Sequence, residues 1–504
     1  VTSYEDGEGL PGVNVVEKGT SNGTVTDVQG NYSLEISEGA TLVFSSVGYV
    51  QEEVEVGNQS VIDMTMVEDI TKLQELVVVG YGVQKKSDLT GSVASIPSER
   101  LRQIPNNNFA QALQGSVPGL NIINSSGGAE QQNQSILIRG RNSITANNDP
   151  LIVLDGIPYS GSISNINPTD IQSIEVLRDA SATAIYGSRG SNGVILITSK
   201  RGAEGNPQIT YDGHYGIQTP TNIPDYLTGE EFYNFKNELE PSSITASEEE
   251  IYQSRNWVNW MDLASRTGRR QQHTLAVSGG SANTKYYFSG ALTDVEGLAV
   301  GDRFTRYSTR INLESNISKA ITIGTNTQLA LRDRSGDAAN WNEIYTTNPL
   351  TTAYNENGEL TLFPWPEDVF FTNPLLPTLN KHEDVVRSIF TNVYFDIDLP
   401  FIKGLNYRLN TGLDYTNWDW SRYEGRNTVI GSNLGGRANV ENTINNNYVV
   451  ENILTYRRDF NKHSLFVTGL YSYQQENSKM QGISSQGFPN DVLTWYQASV
   501  ANLI

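Results

Sequence analysis

Residues 209–218 read Ile-Thr-Tyr-Asp-Gly-His-Tyr-Gly-Ile-Gln, and their alternation decides the fold. Ile209, Tyr211, Gly213, Tyr215 and Ile217 fall on one side of an extended chain, and Thr210, Asp212, His214, Gly216 and Gln218 on the other. That period of two belongs to a strand with one apolar face and one polar face. Further along, Tyr286, Phe288, Gly290 and Leu292 oppose Lys285, Tyr287, Ser289 and Thr293. Ile389, Thr391, Val393, Phe395, Ile397 and Leu399 oppose Asn392, Asp396 and Asp398; Tyr407, Leu409, Thr411, Leu413 and Tyr415 oppose Arg408, Asn410 and Asp414. Leu465, Val467, Gly469, Tyr471 and Tyr473 close the series.

A wall between lipid and a wet lumen needs such strands, although a large soluble β-protein shares the periodicity. Loop lengths separate the two. The turns 281–284, 315–319, 400–404 and 459–463 are short, whereas the connections 219–271, 334–386 and 417–446 are long, which is the arrangement of a bacterial outer-membrane barrel. Ile209, Tyr211, Phe288, Val393 and Leu409 are therefore expected to face lipid, and His214, Lys285, Arg408 and Asp414 the lumen.

The bulk composition agrees. With 504 residues the chain exceeds one ordinary domain, and 37% hydrophobic residues with 45 Gly and 25 Tyr favour short strands and turns over helices. No Cys is present, so disulfides, thiolate metal sites and thiol nucleophiles are excluded. A net charge of -21 opposes binding to nucleic acid phosphates. No run of about 18 apolar residues suggests a spanning helix, but barrel strands need only about 9–11 alternating residues. The start at Val1 has no signal-peptide pattern, so any such segment is expected to have been removed.

Before the long strands come three smaller segments. Residues 1–66 are read as a β-sandwich with strands at 13–16, 24–26, 32–36, 41–45, 52–56 and 61–66, and with hairpin turns at Asn22-Gly23 and Gln29-Gly30-Asn31. Residues 67–82 form a linker carrying the apolar strand Glu75, Leu76, Val77, Val78 and Val79. Residues 83–205 mix helical and strand patterns, and 206–504 hold the alternating strands. The fold class is thus mainly β: a small sandwich, an α/β section and a partial antiparallel barrel.

Chemical motifs are few. Gly19-Thr20-Ser21-Asn22-Gly23 has the spacing of a nucleophile elbow, but it joins two strands where that chemistry needs a strand-to-helix turn. Gly187, Gly190 and Gly193 miss the phosphate-loop spacing and precede a strand, so a tightly packed turn is expected. His214, His273, His382 and His463 are far apart, without metal-ligand spacing. No enzyme activity, cofactor or metal is expected. The segment 75–79 fits capture by a partner through strand pairing, with the last strand of the first domain as the alternative.

The chain then resembles a known family. Leu10-Pro11-Gly12-Val13-Asn14-Val15, Gly19-Thr20 and Val47-Gly48-Tyr49 are similar to the carboxypeptidase-regulatory-like domain that precedes SusC-type TonB-dependent transporters. Val77-Val78-Val79-Gly80-Tyr81-Gly82 and Leu89-Thr90-Gly91-Ser92-Val93 resemble that family's TonB box and plug entrance. Leu113-Gln114-Gly115, Ile138-Arg139-Gly140, Leu154-Asp155-Gly156-Ile157-Pro158 and residues 174–197, which hold Arg178, Asp179, Gly187, Arg189 and Gly193, resemble its plug. The resemblance implies import of a glycan or peptide across the outer membrane, with TonB (and ExbB/ExbD) pulling the plug and a SusD-type lipoprotein covering the outer face. It places residue 1 and the plug on the periplasmic side. Trp257, Trp260, Trp341 and Trp365, in the long loops, are expected to contact ligand or partner, with rim packing as the alternative. A signalling receptor on the same barrel and a non-transporting adhesive protein are the competing readings. One departure stands out: the family barrel has 22 strands, whereas about nine are legible here, so the barrel is expected to be incomplete.

Overall fold

A computed structural model describes the chain apart from residues 5–6, 21, 38, 47–48, 58, 68–75, 80–81, 86–92, 104–108, 125–127, 131–133, 222 and 461–462. It divides into two compact units, Val1–Thr90 and Gly91–Ile504, so the α/β section and the long strands form one body.

The first unit contains β1 (Thr2–Ser3), β2 (Asn14–Glu17), β3 (Gly23–Val25), β4 (Thr41–Ser45), β5 (Glu52–Glu55), β6 (Thr65–Met66), β7 (Leu76–Val79) and β8 (Gly82–Lys85). An antiparallel sheet in the order β3-β2-β4-β5 and a parallel β1–β6 pair enclose Val13, Val15, Leu42, Phe44, Val56 and Met66. The strand expected at 32–36 does not form. Tyr32, Leu34 and Ile36 still alternate inward onto the core, and the Tyr32 ring meets Phe44 edge-on at 5.6 Å. The backbone partner at that point is a side chain: Asn22 Nδ2 donates to the Glu35 carbonyl at 2.7 Å. The expected strand 61–66 shortens likewise to Thr65–Met66. Nor is Asn22-Gly23 a two-residue turn, because Gly23 already starts β3 and the reversal runs through Gly19 at φ +82°.

The second unit opens with β9 (Val93–Pro97), β10 (Leu120–Asn124), β11 (Gln134–Ile138), β12 (Leu151–Leu154), β13 (Ile157–Pro158), β14 (Ile171–Leu177) and β15 (Val194–Ser199). Five of these make a mixed sheet, β13-β12-β15-β14-β9, in which only β12–β15 is parallel; β10 and β11 form a separate hairpin. Apolar runs such as Val194-Ile195-Leu196-Ile197 read as fully buried strands, and Ile174, Val176, Ile195 and Ile197 pack with Phe109 and Leu113 of the helix Phe109–Leu113. Each such side chain contributes roughly 1.5–3 kcal/mol on burial.

The remaining strands are β16 (Gly205–Gln218), β17 (Gly268–Gly280), β18 (Thr284–Glu296), β19 (Arg303–Ser318), β20 (Ile321–Asp333), β21 (Lys381–Asp398), β22 (Leu405–Glu424), β23 (Arg437–Phe460) and β24 (His463–Gln486). They form one nine-stranded sheet in which every strand pairs antiparallel with the next in sequence. The expected faces hold. Ile209, Tyr211 and Phe288 are exposed, whereas Tyr287, Ser289, Thr293, Asn392, Asn410 and Asp414, at the opposite parity, are buried. The connections 219–267, 297–302, 334–380 and 425–436 lie at one end of the sheet and the turns 281–283, 319–320 and 399–404 at the other. The last long loop is much shorter than the expected 417–446. β22 and β23 continue their ladder up to Glu424↔Arg437, since backbone pairing does not require apolar side chains. Strands of 20 and 24 residues exceed what spans lipid, so their ends project beyond it. No helix among the described residues is long and apolar enough to cross a membrane, which leaves the barrel reading untouched. β16 and β24 are the margins of this sheet, and an open margin in lipid would leave backbone groups unpaired.

Candidate functional site: the seam between plug and wall

The face of the nine-stranded sheet that carries Tyr287, Asn392 and Asp414 is covered by the α/β section, and the contact between them is rich in polar side chains. At its centre is Asp155. β12 and β13 pair through Leu154↔Ile157, leaving Asp155 and Gly156 as a two-residue turn with φ +51° and +89°. Positive φ at both positions suits the twist of a tight hairpin. Inside the plug, the Asp155 carboxylate accepts from Ser199 N at 2.9 Å and Ser199 Oγ at 2.8 Å. From the wall it accepts a charge-assisted bond from Arg310 on β19, a residue 1% exposed. Arg310 also donates to Gln328 Oε1 at 2.8 Å, Gln328 Nε2 donates to the Asn165 carbonyl at 2.7 Å, and Asn392 Nδ2 reaches the Asp155 carbonyl at 3.2 Å.

Similar contacts run along the seam. Arg306, fully buried, donates to the Ser164 carbonyl at 2.8 Å, Tyr287 donates to Asp170 Oδ1 at 2.8 Å, and Ser160 Oγ donates to Asp414 Oδ2 at 3.1 Å. Asn312 Nδ2 reaches Ser199 Oγ at 2.8 Å, and Arg189 donates to Gln474 of β24. At the long-loop end, Arg332 and Arg334 both hold Glu130, while Ala129 N donates to Asp302 Oδ2 at 2.8 Å. Burial pushes the Asp302 carboxyl up, against the pull of that N–H and of Arg266. Apolar contacts join the two as well: Tyr159 meets Phe390 edge-on at 5.3 Å, and Ala129 packs with Val295 and Phe304. A polar seam can exchange its partners for water, and each neutral hydrogen bond then costs only about 0.5–1.5 kcal/mol net. The arrangement therefore suits a body that must be held in place and also displaced.

Three comparisons bear on this geometry. Residues 85–194 match the family described as TonB-dependent Receptor Plug Domain, and residues 1–78 the CarboxypepD_reg-like domain. TonB-dependent receptor P3 of Formosa agariphila is 34% identical over 98% of this chain and 49% of its own length. TonB-dependent receptor SusC of Bacteroides thetaiotaomicron is 37% identical over 61% of this chain and 31% of its own. The chain belongs to the SusC-type TonB-dependent receptors. The RagAB peptide importer in its open-open state has a similar structure, with a TM-score of 0.74 at 28% identity, covering 85% of this chain and 52% of that one. The chain spans about half the length of the curated relatives it matches.

Of the plug residues named from sequence, Asp155 and Arg189 reach the wall. The others shape the plug: Arg139 pairs with Asp179, Arg178 Nη1 donates to the Pro118 carbonyl at 2.6 Å, and Gly140, Gly187 and Gly193 have φ +94°, +60° and +93°. At Gly193 a Cβ would lie 2.7 Å from Ile138 Cδ1. Of the segment 75–79, expected from sequence to be captured by a partner, Glu75 lies outside the described residues. Leu76–Val79 pairs with Gly82–Lys85 as a two-stranded sheet of its own, separate from the sandwich sheet. Ser21 also lies outside the described residues. Trp260 is 4% exposed in the core of the loop layer with Met261 and Leu375, donating to the Asn348 carbonyl at 3.0 Å; Trp341 packs beside that core. Trp257 and Trp365 are half-buried, with Lys236 Nζ 5.3 Å from the Trp365 ring. Sequence reasoning missed Arg306, Arg310, Arg332, Glu130 and Asp170. The available signal was parity: Arg306 and Arg310 share the inward parity of Asn312 on β19.

Proposed function

We propose that this chain carries the plug and part of the wall of a receptor that imports a nutrient, a glycan oligosaccharide or a peptide, across the outer membrane. TonB (with ExbB/ExbD) captures the strand around Leu76–Val79 by edge pairing and pulls the plug. A SusD-type lipoprotein covers the long-loop rim, where Trp257, Trp341 and Trp365 are the expected contact residues, while Trp260 holds the loop layer together. The sandwich and plug lie on the periplasmic side, and the exposed face of β16–β24 meets outer-membrane lipid. The observation that carries this reading is the polar seam, which fits a plug built to be released. No hydrolysis or transfer is expected on the way, nor any cofactor. The test is uptake in the native host: cells lacking the full-length gene, or lacking TonB, should fail to accumulate labelled oligosaccharides or peptides that the wild type takes up unaltered. A transcriptional response without accumulation would favour the signalling receptor.

A further inference from the structure

The long-loop end of the seam holds a chain of contacts that leads away from the plug. Ala129 and Glu130, between β10 and β11, dock there at three points. Ala129 sits in an apolar socket with Val295 and Phe304, its N–H reaches Asp302, and Glu130, 5% exposed, takes Arg332 and Arg334. Arg334 is shared. Its Nη1 lies 3.2 Å from Glu130 Oε2 and its Nη2 lies 2.7 Å from Asp384 Oδ1 on β21, and the Arg334 N–H also meets the Asp384 carbonyl at 2.8 Å. Asp384 Oδ1 in turn accepts from Trp418 Nε1 at 2.8 Å. Trp418 is half-buried on β22 at the same inward parity as Asn410 and Asp414.

We infer that Arg334 is a positioning residue that couples the lumen wall at Trp418 to the plug tip at Glu130. The guanidinium is a planar fork whose two nitrogens serve different carboxylates, so a shift of either acid turns the fork away from the other. A ligand stacking on the Trp418 indole would move Asp384 and thereby alter the hold on Glu130. By reciprocity, displacing the plug tip alters the setting of Trp418. The inference deepens the transporter reading, since it names where the wall senses occupancy, but the coupling can be measured without ligand or transport.

The test uses the full-length receptor in detergent, labelled with 5-fluorotryptophan, with Trp418→Phe identifying its resonance. Glu130→Ala should displace the Trp418 signal by several linewidths and leave that of Trp365 in place. In an Arg334→Met background the same substitution should move it by less than one linewidth, because the shared group is gone. Arg334→Lys, which keeps the charge but not the fork, should also abolish the effect and serves if Arg334→Met does not insert. Arg332→Met, whose described partner is Glu130 and not Asp384, should preserve it. An unmoved Trp418 in Glu130→Ala, or an equal shift with and without Arg334, overturns the inference. Coupling without uptake would leave the inference standing and refute only the transport reading.

Discussion

Replacing Arg310 by Met should loosen the plug more than any other single change on β19. The substitution keeps the length of the side chain and removes the cation, which leaves the Asp155 carboxylate buried with only Ser199 as donor. Breaking a buried pair from one side costs about 3–5 kcal/mol, because the remaining charge is uncompensated. The penalty applies to the docked plug alone, since a released plug hydrates Asp155. At about 1.4 kcal/mol per tenfold, even the lower figure raises the released fraction by roughly a hundredfold. Removing both partners, Asp155→Asn with Arg310→Met, should restore most of that loss, because no charge is then stranded. The assays are sensitivity of cells to a large antibiotic that the outer membrane normally excludes, and the urea midpoint for plug unfolding in the purified full-length receptor. If Arg310→Met matches the wild type in both, or the double variant leaks as much as the single, Asp155–Arg310 does not hold the plug.

Three further outcomes are expected. Val78→Pro removes a ladder donor from the strand paired with Gly82–Lys85 and should abolish uptake while ligand affinity in detergent is unchanged; Val78→Ile should be nearly silent, and normal uptake by the proline variant would end the coupling assignment. Phe288→Arg, on the exposed face of β18, should cost about 2–4 kcal/mol in folding into lipid, whereas Lys285→Gln on the inner face should cost far less; equal costs in a refolding titration would refute the assigned faces. Gly193→Ala forces a Cβ against Ile138 and the Leu177 carbonyl at φ +93°, so the plug should lose about 1–3 kcal/mol, read as a lower urea midpoint.

The sequence determined the wall almost in full. Strand periodicity is a local property: Tyr211, Phe288 and Leu409 announce an outward face from their own neighbours, and the turn lengths announce which rim is which. Nine strands could be counted for that reason. Where local pattern and backbone pairing part, it fell short: Tyr32, Leu34 and Ile36 alternate as a strand would, yet Asn22 occupies the Glu35 carbonyl. The same limit put Trp260 among the rim contacts, because loop position does not reveal that Met261, Ala339 and Leu375 close over it. The seam lay wholly beyond the sequence. Parity says that Arg310 points inward, but not that it meets Asp155, 155 residues earlier, or that Arg332 meets Glu130, 202 residues earlier. A charge that is solvated in an empty lumen and a charge that clamps a plug have the same neighbours in sequence, and only the packing of one body against the other removes the water and makes the pair.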